Sequence, residues 1–148
     1  MKYKKFVDKY VVRLERGEEV INSLTNLCKE NEIKLGRVTG IGATNKVTIG
    51  LFNTESKEYH SKDLTGDMEI TNLSGNITSM DEEVYLHLHI TVCDKNNKAY
   101  GGHLNSAVIS ATCEMIIDVI DGNVGRRHDE EIGLNLFKFN EDSIESIH

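Results

Sequence analysis

The sequence predicts an α/β fold of the α+β type, a mostly antiparallel central sheet carrying one principal amphipathic helix. Two observations lead there. One stretch, GEEVINSLTNLCKENEI, places Val20, Ile21, Leu24, Leu27 and Cys28 at helical spacing. Nearly everything after it is a series of short alternating segments separated by Gly, Asn, Asp and Ser, the pattern of strands and turns. The 148 residues contain no proline, no Gly/Ser-rich linker and no internal repeat, so residues 1–148 read as one domain.

In chain order, Tyr10, Val12 and Leu14 alternate with Val11 and Arg13, predicting a first strand that ends near Arg16-Gly17. The helix follows, with Glu18 and Glu19 suited to the positive end of its dipole. Strands are then expected at 37–41, 46–52, 57–62, 67–73, 76–80, 85–93, 99–104, 108–120 and 133–139. GRVTGIGA contains a G-x-G but lacks a third glycine and a following helical pattern. Its glycines therefore read as strand bends or bulges, not as a dinucleotide-binding turn.

Charge and cysteine usage narrow the function classes. Seventeen Lys+Arg against 24 Asp+Glu give a net −7, the wrong sign for coating a phosphate backbone. Residues 1–37 hold nine basic and six acidic groups, so a basic surface is expected only there. Cys28, Cys93 and Cys113 form no CxxC pair and suit a reducing cytoplasm, chiefly as small core residues. No run of about 18 apolar residues exists, so neither membrane spanning nor secretion is expected.

The strongest chemical feature is EVYLHLHITVCDKNNKAYGGHLN. On an extended strand Leu86, Leu88, Ile90 and Val92 face one way, and Tyr85, His87, His89, Thr91 and Cys93 the other. Asp94 to Lys98 is a polar turn, and a hairpin centred near Asn96 sets His103 directly opposite His89, with His87 two residues along the same face. Three neutral imidazoles on one face suit zinc or another divalent transition metal, with one coordination position open to water or a ligand. A one-residue slip would send His103 to the other face, and Gly101-Gly102 leave room for one. His60, His128 and His148 read as solvated. Glu114 interrupts an apolar run and is a weaker candidate.

The blocks RLERGEEVINSL, GRVTGIGA, LTGDMEITNLSGNIT, YLHLHITVCDKNNKAYGGHL and VISATCEMIIDVI together resemble the plant and prokaryote conserved (PPC) domain in its small stand-alone prokaryotic form. The resemblance implies an α/β fold with a central antiparallel sheet, a homotrimer, and a metal held by histidines at His87, His89 and His103. Glu69, in the adjacent motif of that resemblance, is only a candidate fourth donor, and the leading expectation keeps the fourth position open to water or a ligand. If the ion is catalytic, Glu69 or Asp67 would accept the proton; no catalytic residue is assigned. The expected partner is a small anionic ligand. The alternative is a DNA-associated regulatory protein, since relatives in plants couple the domain to AT-hooks. This chain has no such segment, and its basic run Gly125-Arg126-Arg127 is followed by His128-Asp129-Glu130-Glu131. A cupin-like metalloenzyme is a third reading, weakened because no glutamate follows H-x-H closely and proline is absent.

Overall fold

The computed structural model describes residues 1–139. In chain order its elements are β1 (Lys2–Phe6), β2 (Lys9–Glu15), α1 (Val20–Glu30), β3 (Gly36–Asn53), β4 (Glu58–Met80), β5 (Glu83–Asp94), β6 (Ala99–Val119), β7 (Gly125–Asp129) and β8 (Leu134–Lys138). Strands take 70% of these residues and helix 8%, which makes the fold mostly β and corrects the α/β expectation. The physical reason lies in the strands. Segments that the sequence separates at glycine and polar residues run on as single strands of 18, 23 and 21 residues, β3, β4 and β6, which absorb the breaks as bulges. The shifts between Gly40 and Gly42 and between Thr44 and Lys46 are such bulges. The sheet is also mixed, because β4 and β7 meet in a parallel bridge at Ser79 and Gly125.

The sheet runs in the order β1-β2-β6-β3-β4-β7-β8, and β5 pairs with both β4 and β6. Hence β3, β4, β5 and β6 form a closed ring of antiparallel pairings. Alternation then sorts the side chains of β5. Leu88, Ile90 and Val92 join the core, which leaves His87 and His89 on the opposite face. Leu86, which the sequence groups with that apolar set, is only partly buried.

Helix α1 packs on β5 and β6 through Val20, Leu24, Leu27 and Cys28. Its N-cap is Glu19, whose carboxylate accepts from the Ile21 and Asn22 amides at 3.0 and 2.8 Å and from the Ala107 amide of β6 at 3.0 Å. One side chain thus caps the helix and ties it to the sheet. Burial pushes the thiols of Cys28 and Cys113 up to about 12 and about 11, leaving both as unreactive core groups at neutral pH. No helix among the described residues is long and apolar enough to cross a membrane.

Candidate metal centre and pocket

Two turns set the register of the histidines. Between β4 and β5 the loop is Asp81-Glu82, both left-handed at φ 51° and 67°, the geometry of a two-residue hairpin turn. It pairs Asn76 with His87 and Ser74 with His89. Between β5 and β6 the Asp94 carboxylate accepts from the Asn96 and Lys98 amides at 2.8 and 3.0 Å, and Asn97 takes φ 58°. This turn pairs Cys93 with Ala99 and, four steps on, His89 with His103, the register expected from the sequence. Gly102, next to His103, packs where an added Cβ would lie 2.7 Å from the Gly50 carbonyl oxygen of strand β3.

The three imidazoles therefore converge. Ring centroids lie 5.3 Å apart for His87 and His89, 5.4 Å for His87 and His103, and 5.6 Å for His89 and His103. Each ring offers a nitrogen, and these atoms all lie within 4.8 Å of one another. Burial lowers the His87 pKa below the usual 6.5, helped by the charges of Arg126, His103 and His89. Burial and then His89 lower that of His103. Both rings are consequently neutral near pH 7, the state in which an imidazole can donate a lone pair to a metal.

The triad opens into a pocket of about 990 Å³. One wall is the tip of the β3–β4 hairpin, with Leu51, Phe52 and Tyr59; the other is the β7–β8 hairpin, with Arg126, Leu134, Leu136 and Phe137. Lys57 ties the two walls together by donating to the carbonyls of Glu131 and Ile132, the latter at 3.0 Å. Tyr59 sets its ring edge-on to His103 at 6.4 Å and donates to Asn105 Oδ1 at 2.7 Å.

The carboxylates singled out in the sequence go elsewhere. Glu69 pairs with Cys93 and Ala43 and lines, with Asp67 and Asp94, a separate cleft that contains none of the three histidines. Glu69 is thus not a fourth donor at the triad. Glu114 is exposed, as are His60 and His128; His148 lies outside the described residues. Sequence reasoning missed Arg126, which it read only as part of the basic run Gly125-Arg126-Arg127. The structure buries it to 8% exposure opposite Phe137, while Arg127 and His128 point to solvent. Arg126, Arg127, His128 and Asp129 are all polar and their burial does not alternate, so the segment carries no local signal that one of them is buried.

Fold and site together define a mostly β protein with a partly closed sheet and a three-histidine pocket on its outer face. The chain belongs to the Plants and Prokaryotes Conserved (PCC) domain family, whose family model matches residues 1–121. It is similar to a candidate DNA-binding protein from Bacteroides thetaiotaomicron, with 40% identity, a TM-score of 0.91, and coverage of 93% of this chain and 96% of that one. It is also similar to a metal-containing protein from Archaeoglobus fulgidus, with 31% identity, a TM-score of 0.84, and coverage of 93% and 96%. A PPC protein from Pyrococcus horikoshii matches at 26% identity and a TM-score of 0.82, covering 95% of each chain. Two bifunctional GlmU proteins from Synechococcus strains match at 28% and 26% identity, and the chain spans only 16% and 19% of their length.

Proposed function

We propose that this PCC-domain protein holds a divalent transition ion, zinc foremost, on His87, His89 and His103, and that the centre binds a small ligand in the adjoining pocket. The observation that carries this reading is the convergence of three imidazole nitrogens on one pocket with no acidic or thiol donor in the same cluster among the described residues. The donor set fits a late divalent metal, and three protein ligands are the number found in zinc sites that stay open to a ligand. A bound ion would supply Lewis acidity to a ligand in the pocket. The metal-containing relative supports the reading. Residues 1–148 are taken as one domain, because β7 and β8 lie beyond the matched family region and still complete the pocket.

Elemental analysis after zinc loading and dialysis at pH 7.5 tests this, with one ion per chain expected and none overturning it. Affinity should fall with pH, because protonated imidazole cannot bind a metal. The lowered pKa values of His87 and His103 move that loss to lower pH than an ordinary histidine would give. In the metal-free chain the unfolded state binds more protons than the folded one below about pH 6.5, so stability declines as the solution is acidified through that range.

The proposed assembly is a homotrimer in the cytoplasm. Val11, Ile41 and Ile116 are 49%, 61% and 46% exposed and line one shallow groove across β2, β6 and β3, apolar surface suited to burial between copies. Light scattering should give about three times the chain mass, and a monomer at micromolar concentration would reject the assembly.

The second reading, DNA association, is favoured by the similarity to the candidate DNA-binding protein from Bacteroides thetaiotaomicron and by the exposed edge strand β1, which carries Lys2, Lys4 and Lys5. The net charge of −7 opposes it. Duplex binding that collapses with added salt would support this reading; no binding at low salt would remove it.

A further inference from the structure

We propose that Arg126 anchors the oxyanion end, a carboxylate or a phosphate monoester, of a ligand whose body fills the three-histidine pocket. The inference rests on reading that pocket as a ligand site and adds the chemical class of what enters it.

Arg126 is a buried cation that the described part of the chain does not neutralise. Its Nε donates to Thr78 Oγ1 at 2.8 Å, Nη1 to the Asn135 carbonyl at 2.7 Å and Nη2 to Asn76 Oδ1 at 2.8 Å. All three acceptors are uncharged, and no carboxylate among the described residues forms an ion pair with it. Burying a charge without a counter-charge is costly, and guanidinium does not escape the cost by losing its proton near neutral pH. The rings of Tyr85 and Phe137 lie 4.7 and 4.6 Å from its guanidinium carbon, so aromatic surface covers the cation and a ligand meets it through its remaining N–H groups. Of five N–H donors three are used, leaving one on each terminal nitrogen, enough for a single oxyanion held at two points.

Position relates this group to the histidines. Asn76, which receives Nη2, lies directly across from His87 in the β4–β5 pairing, and Arg126 and all three histidines line the same pocket. Although the chain carries 24 acidic residues, that lining contains no Asp or Glu. A metal ion on the triad would make the pocket more cationic still. The complementary ligand is an anion, and Leu51, Leu134, Leu136 and Phe137 offer apolar surface to the rest of it.

The test is calorimetric titration of the full, zinc-loaded chain with benzoate, phenyl phosphate and the neutral isostere benzamide. At least one oxyanion should bind about 10- to 100-fold more tightly than benzamide, the range of a hydrogen bond to a charged group, and the stronger of the two identifies carboxylate or phosphate as the preferred end. Arg126→Gln should remove that advantage while zinc content stays unchanged. Equal binding of benzamide, undiminished oxyanion binding by the variant, or no oxyanion binding by the unaltered chain would each overturn the proposal. The comparison of acid with amide needs no substitution, so it decides the matter even if Arg126→Gln fails to fold. Zinc content is measured separately. A chain that takes up no zinc defeats the metal reading alone, and titration of the metal-free chain then tests Arg126, with oxyanion preference supporting the anchor and its absence rejecting it.

Discussion

His103→Ala is expected to weaken zinc binding by more than about 100-fold, beyond the cost of losing an outer-shell partner of a ligand. The reason is the way the site is assembled. His87 and His89 come from one strand and His103 from another, so the β5–β6 register brings the third nitrogen within 4.8 Å of the other two. Removing it leaves a two-imidazole site, with no carboxylate or thiol among the described residues in the cluster to replace it. Competition against a chromophoric chelator would measure the loss. Replacing all three histidines by alanine should abolish stoichiometric uptake, and full occupancy after that change would reject the assignment. His60→Ala is the control: that ring is exposed, stands 3.8 Å from Glu58 and lies outside the triad, so affinity should be unchanged.

What the sequence made readable was local. The β5–β6 hairpin is specified by the Asp94–Lys98 turn and by strict alternation on one side of it, so the meeting of His89 with His103 followed from counting residues. Helix α1 was equally legible, because five apolar positions share one face. Strand β1 was not, since all five of its residues are exposed on a sheet edge and carry no burial pattern. The lengths of β3, β4 and β6 were hidden because a bulge keeps a strand paired through glycine and polar residues that otherwise read as turns. Arg126 was hidden for another reason. Its role depends on Asn76 and Thr78, 50 and 48 residues away, and local sequence carries no record of such a contact.

Gly75→Ala should destabilise the protein by about 1–3 kcal/mol, the usual cost of forcing an extra carbon into a packed interior. Gly75 lies on β4 within the closed ring, paired with Leu88 on one side and Val38 on the other. A Cβ there would approach the Leu88 Cα to 2.8 Å and the His87 carbonyl carbon to 2.9 Å, and would strike the His87 carbonyl oxygen. These are backbone atoms, so no side-chain rotation relieves the contact and β5 itself must move. The displaced segment carries His87, whose ring has to meet two others for the triad to form. The substitution should therefore lower the urea midpoint and also weaken zinc binding, although residue 75 supplies no ligand atom. Gly66→Ala makes a useful contrast: nothing lies within 4 Å of its added Cβ, and its φ of 109° makes any cost one of backbone strain. Loss of stability at both positions, with loss of zinc affinity only at Gly75, is the expected pattern. Unchanged zinc affinity in folded Gly75→Ala would show that the β4–β5 approach does not position His87.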